Sequence, residues 1–132
     1  MGKKIYPRIS SRLPVVVTNE EGVQLKVTAI DTSNEVFSIQ CSTLQRNIVT
    51  PGGSYLKNGR PVELDAMLDL PVSENQVYPL KARCHVTFSR RVASDRCEIG
   101  MRFVDFDGEG YQKLVRFIET RMTSSFATAK AS

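Results

Sequence analysis

The feature that most constrains this fold is a period of two. Val23, Leu25, Val27 and Ala29 alternate with Gln24, Lys26 and Thr28. Residues 36–41 keep the same beat, with Phe37, Ile39 and Cys41 on one face and Val36, Ser38 and Gln40 on the other. So do residues 62–70, where Val62, Leu64, Ala66, Leu68 and Leu70 alternate with Glu63, Asp65, Met67 and Asp69. Successive strand side chains point to opposite faces, so each run predicts a strand with one face buried. Residues 13–17, 77–88 and 98–106 are rich in β-branched and aromatic residues and predict three more. Turn formers separate the runs: Asn19-Glu20-Glu21-Gly22, Asp31-Thr32-Ser33-Asn34-Glu35, Pro71 as a stop, and Ser73-Glu74-Asn75-Gln76. Residues 42–60 carry Pro51-Gly52-Gly53 and Asn58-Gly59 and read as loop; residues 89–96 read as a polar hairpin tip with three arginines.

After residue 106 the period changes. Tyr111, Leu114, Val115, Ile118 and Met122 recur at helical spacing. Asp107 or Gly108 is placed to cap that helix, with Glu109 in its first turn. The expected class is all-β with one C-terminal helix. Six short antiparallel strands favour closure into a barrel, because closure removes the sheet edges. The helix then covers or plugs it. The domain reading is a flexible basic arm over 1–12, one barrel domain with its helix over 13–123, and a frayed tail over 124–132.

At 132 residues, 41% hydrophobic and 24% charged, the composition is that of one globular domain. No run approaches 18 apolar residues, so no membrane span is expected. No apolar run follows Lys3 and Lys4, which argues against a secretory leader and for a cytoplasmic protein. Three irregularly spaced cysteines, Cys41, Cys84 and Cys97, read as buried, reduced strand residues rather than a disulfide framework.

Charge is unevenly placed. The chain has 18 basic and 14 acidic residues and a formal charge of +4. Residues 1–12 hold Lys3, Lys4, Arg8 and Arg12 and no acid, so the rest of the chain is balanced. That concentration points to an anion-binding segment, the alternative being a solvated terminus. Guanidinium is permanently charged, forked for phosphate and flat enough to stack on a base.

Taken in order, Arg8-x-x-x-Arg12, Asp31-x-Ser33, and Ile99-Gly100-Met101-Arg102-Phe103 before a C-terminal helix resemble a PilZ domain over roughly residues 6–122. That family's signature is an RxxxR arm and a (D/N)xSxxG turn. The resemblance implies a six-stranded barrel that binds cyclic di-GMP, a bacterial second messenger, with no cofactor. Arg8 and Arg12 would grip phosphate and guanine, while Asp31 and Ser33 would contact guanine from the barrel surface. It also implies a partner protein from motility, adhesion or exopolysaccharide machinery. The family's glycine falls at Val36, a departure that bears on affinity, since glycine permits positive φ or close ligand approach. The expected function is therefore a non-catalytic cyclic di-GMP receptor whose arm orders on binding. One alternative is a nucleotide-independent PilZ-type adapter. A second is a small nucleic-acid-binding barrel, for which the aromatics and basic residues are poorly interleaved.

Other constellations have plainer readings. Cys84-His85 are adjacent strand residues facing opposite ways, a poor zinc or nucleophile pair. The glycines at 108 and 110 lack the GK[ST] ending of a phosphate loop. Arg90, Arg91 and Arg96 read as a solvated hairpin tip.

Overall fold

The computed structural model describes residues 4–131, with side chains through Thr123. The chain runs β1 (Ile9–Thr18), β2 (Gln24–Thr32), β3 (Val36–Cys41), α1 (Thr43–Val49), a 3-10 turn (Pro51–Gly53), the two-residue strands β4 (Leu56–Lys57) and β5 (Arg60–Pro61), β6 (Glu63–Ser73), β7 (Gln76–Ala93), β8 (Arg96–Phe106) and α2 (Gly110–Ala131). Six strands close into an antiparallel barrel in the order β1-β2-β3-β8-β7-β6, with β1 pairing β6 to shut it. Both the strand count and the closure follow the expectation from alternation.

The inward phase is the predicted one. Leu64, Ala66, Leu68 and Leu70 of β6 are buried, as are Phe37 and Ile39 of β3 and Ile99 and Met101 of β8. Burying a side chain of this size contributes roughly 1.5–3 kcal/mol. α2 packs on β6, β7 and β1 through Leu114, Phe117 and Ile118. Phe117 belongs to the buried stripe, whereas Met122 is 39% exposed, since it lies beyond the reach of the barrel. Phe37, Phe103, Phe106 and Tyr111 form a chain of ring contacts at 4.9, 4.9 and 5.5 Å that joins β3 through β8 to α2.

Several boundaries differ from the sequence reading, each for a local reason. β1 starts at Ile9, not residue 13, because Ile9 and Ser10 pair with Thr32 and Asp31. β2 starts at Gln24, leaving Val23 exposed. β6 runs through Pro71, which pairs with Val77 beyond the stretch that faces β1, so its missing N–H breaks no ladder bond. The expected tip at 89–96 is mostly strand: Arg90 and Arg91 lie in β7, and the turn shrinks to Ser94 and Asp95, the latter at φ 53°. Glu109 precedes α2 instead of entering its first turn, and its C=O accepts from the Lys113 N–H. The backbone of 124–131, expected to fray, continues α2; Ser132 lies outside the described residues.

The segment read as loop contains α1, which begins with a capping box. Ser42 Oγ accepts from the Gln45 N–H and Gln45 Oε1 accepts from the Ser42 N–H. That Ser-x-x-Gln pattern is the sequence signal for a helix start. Only Val49 of this short helix is buried, so no apolar period announced it. Asn19 Nδ2 donates to the Ile48 C=O, and Asp95 Oδ1 accepts from the Thr43 N–H. These two turns hold α1 across the barrel end opposite α2. Asn58 and Gly59, both at positive φ, make the two-residue turn between β4 and β5.

All three cysteines are buried free thiols in strands. Burial pushes Cys41 up to about 11 and Cys84 up to about 12 from an ordinary 9.0. Because these pKa values are raised on folding, the buried neutral thiols stabilise the fold fully below pH 9, and that contribution is lost as pH rises toward these values, since the unfolded thiols ionise first. At pH 8 the folded protein should therefore react with a thiol reagent far more slowly than the denatured chain. Equal rates would show that these thiols are not packed in the barrel.

Candidate functional site

The arginine arm and the Asp31 turn meet because β1 and β2 form one long hairpin. Ser10 lies opposite Asp31, and this pairing brings Arg8 Nη1 to 3.8 Å from Asp31 Oδ1. Arg12 is exposed on β1 and has no ion pair among the described residues. A surface pair such as Arg8–Asp31 contributes only about 0–1 kcal/mol, so a stronger anion can displace the carboxylate at little cost.

Asp31 faces outward because of a bulge. Val27 and Ala29 point into the barrel, and unbroken alternation would send Asp31 after them. Both ladders of β2 slip at Ile30, between Ser10/Leu13 on one side and Ala29/Asp31 on the other. The slip pairs Asp31 with Ser38, between the inward Phe37 and Ile39, and turns Thr32 inward instead. Bulges commonly re-aim a side chain next to a functional site. Burying an unpaired carboxylate in an apolar barrel would carry a large desolvation cost, which this geometry avoids.

Ser33 builds the turn. Its N–H donates to the Val36 C=O at 2.8 Å, and its Oγ accepts from the N–H groups of Glu35 and Val36 at 3.2 and 3.1 Å. It is 4% exposed. Val36 opens β3 opposite Arg102 and is not among the residues at positive φ. Valine is therefore unstrained where the motif has glycine. Its side chain stands half-buried on the outer face, in phase with Ser38.

Asn34, read from the sequence only as a turn former, is fully buried and joins three parts of the chain. Its Oδ1 accepts from the Tyr6 N–H at 3.1 Å. Its Nδ2 donates to the Lys4 C=O at 2.8 Å and to Tyr111 Oη at 3.2 Å. Tyr6, also buried, donates its hydroxyl to Glu119 Oε2 on α2 at 2.9 Å. That hydrogen bond, with burial, holds the Tyr6 phenol above its ordinary pKa. The arm is thus fastened to the turn and to α2 just before Arg8.

A row of outward-directed positions adjoins these residues, with Ser38 and Gly100 buried within it. Ser10, Asp31, Ser38, Gly100 and Phe88 lie in one register row across five strands. The Phe88 ring lies directly on Gly100, where any Cβ would overlap it. This is the physical reason for glycine inside the Ile99–Phe103 run. Arg90 sits 5.2 Å from the Phe88 ring centroid and pairs with Glu98 at 3.0 Å. The place of Phe88 in this row is not legible in the sequence, because the row runs across strands far apart in sequence. Near the arm, the buried atoms Ser11 Oγ, Asp31 Oδ1 and Thr32 Oγ1 lack a hydrogen-bond partner.

The remaining constellations keep their plain readings. Cys84 is fully buried, while His85 faces outward with its Nε2 3.8 Å from Glu63 Oε2. Gly108, at φ +54°, belongs to the turn that leads into α2. Among the described residues no helix is long and apolar enough to cross a membrane.

No family model matches the chain, and no curated protein does. Solved structures do match it. The inhibitor of motility MotI/DgrA of Bacillus subtilis superposes with a TM-score of 0.70 at 14% identity, over 94% of this chain and 53% of that one. The chain thus spans about half the length of that protein. The PilZ domain of YcgR from Escherichia coli, solved with c-di-GMP, superposes at 0.60 with 13% identity over 100% of both chains. The PilZ domain of CeSA from a cellulose-synthesizing bacterium superposes at 0.51 with 19% identity, over 89% of this chain and 99% of that one. At these identities the likeness concerns the fold: the chain is built as a PilZ-like domain.

The Asn34 clamp yields a direct expectation. Asn34→Ala leaves a buried N–H and C=O unpaired, which costs about 1–3 kcal/mol each. The amides of Ile5, Tyr6 and Arg8 should then exchange with solvent at least tenfold faster, while those of β6 and β7 change little. Unchanged exchange in the arm would show that Asn34 does not hold it.

Proposed function

We propose that this protein is a non-catalytic receptor for cyclic di-GMP that acts through a partner protein. The observation that carries the reading is the pairing of Ser10 with Asp31, which sets Arg8 within 3.8 Å of Asp31 on the outer barrel wall. The two halves of the RxxxR and DxS pattern, about twenty residues apart in sequence, become one surface. A c-di-GMP complex of the YcgR PilZ domain, with the same fold, supports the choice of ligand.

Each side chain has a role by its chemistry. Arg8 and Arg12 offer forked donors to phosphate oxygens and to the O6/N7 edge of guanine. Asp31 accepts from guanine N–H groups. Ser33, buried with its hydroxyl bonded inside its own turn, shapes the turn that presents Asp31. The dianionic ligand replaces Asp31 as the counter-charge of Arg8 and draws Arg12 in, so the two arginine side chains close on the ligand. Because Tyr6 is bonded to Glu119, movement of the arm reaches α2, and the rearranged surface is what a partner reads.

A second reading, an adapter that binds its partner without nucleotide, is favoured by Val36 in the glycine position. Its branched side chain stands on the outer face where a guanine would approach.

Calorimetric titration with cyclic di-GMP, with GTP and GMP as controls, separates the two readings. Saturable heat with cyclic di-GMP alone is expected, weakening as salt rises. Arg8→Ala and Arg12→Ala should each weaken it at least tenfold, since a charged hydrogen bond contributes about 1.5–3 kcal/mol and tenfold corresponds to about 1.4. No heat with any nucleotide would favour the adapter, and full affinity in both variants would remove the arm from the site.

Val36→Gly tests the crowding. Glycine costs the strand up to about 1 kcal/mol but opens the surface. Tighter binding is expected in the variant; looser binding would mean that the valine contributes a contact.

A further inference from the structure

A groove of about 530 Å³ lies between the end of the β6–β7 hairpin and α2, away from the arginine arm. Pro71, Val72, Ser73 and Gln76 form one wall. Lys113, Arg116, Phe117, Thr120 and Arg121 form the other. The helical residues fall at i, i+3, i+4, i+7 and i+8, one continuous face of α2.

Three cations and no carboxylate line it. None of Lys113, Arg116 and Arg121 has an ion pair among the described residues. Two of them are already positioned: the Arg121 guanidinium lies 5.1 Å from the Phe117 ring centroid, and Lys113 Nζ lies 5.6 Å from that of Tyr78. Resting on an aromatic face lowers the entropy cost of presenting the charge. Glu119 is bonded to Tyr6, and Glu74, at the hairpin tip, lies outside the lining. A second groove, of about 490 Å³, shows the contrast. There Lys81 and Arg83 are mixed with Asp65, Asp105 and Asp107, and Arg83 pairs with Asp105 at 3.7 Å, so it has no open charge to offer.

We infer that the α2 groove is the docking face for an acidic, extended segment of a partner protein. Lys113 to Arg121 spans eight residues of helix, about 12 Å. That is the length of roughly four residues of extended chain. Carboxylates at alternate positions would meet the cations, and an apolar side chain between them would rest on Val72, which is 45% exposed. Both walls of the groove present side chains to it, so recognition is by side chains. The inference rests on the reading that the protein works through a partner, and does not depend on the nucleotide.

The test titrates the full chain with a synthetic hexapeptide of alternating glutamate and leucine, and with its glutamine counterpart. Saturable binding of the glutamate peptide is expected, with amide shifts centred on Arg116, Phe117 and Arg121. The glutamine peptide should bind at least tenfold more weakly. Arg116→Glu with Arg121→Glu should abolish peptide binding and leave the response to cyclic di-GMP unchanged, so that failure of the groove and failure of the nucleotide site read out separately. Lys113→Gln with Arg121→Gln, which keeps the helix propensity, should weaken the peptide severalfold if the charge-reversed variant does not fold. Equal binding of both peptides, shifts centred on Arg8 and Arg12 instead, or displacement of the peptide by equimolar inorganic phosphate would each overturn the proposal.

Discussion

One buried carboxamide fastens the working end of this molecule. Asn34 accepts from the Tyr6 N–H and donates to the Lys4 C=O and to Tyr111 Oη, linking the N-terminal arm, the β2–β3 turn and α2. Inside the barrel wall, the ring contacts from Phe37 through Phe103 and Phe106 reach the same Tyr111. Apolar packing and buried hydrogen bonds therefore converge on one residue. Buried polar groups of this kind specify a unique arrangement, because any other register leaves them unpaired. Here they fix where Arg8 begins and how the turn faces it.

The second determinant is the bulge at Ile30. Barrel strands are governed by their alternation, and a carboxylate in phase with Val27 and Ala29 would belong inside. One extra residue on β2 against β3, and one extra on β1 against β2, reverse that phase and deliver Asp31 to the outer wall opposite Ser10. The cost is local disruption of both ladders. The bulge thereby creates a surface on which cationic and anionic groups lie side by side, open to a ligand that can address both.

Much of the barrel was readable from the sequence, because a buried strand face leaves a period of two. The inward set of β6 and the closing helix are both visible in that way. Boundaries were harder. β1 began early because its first residues pair with β2, and β7 ran long because Arg90 and Arg91 pair with Glu98 and Cys97. α1 was missed because it buries only Val49. At the candidate site, Arg8, Arg12, Asp31 and Ser33 stand out through the resemblance of their spacing to the PilZ signature. Asn34 and Phe88 do not, since their importance comes from partners many residues away. The turn role of Ser33, by contrast, lies within three residues and follows from ordinary serine chemistry.

If the protein is a cyclic di-GMP receptor, Arg8, Arg12 and Asp31 must act as one ligand surface on the outer wall at the α2 end. Amide chemical-shift mapping of the full chain titrated with cyclic di-GMP examines that requirement residue by residue. Saturable shifts are expected over residues 8–12, 31–36 and Gly100, moving together, with α1 and its flanking turns silent. Shifts confined to the α1 end, or none at any ligand concentration, would contradict it.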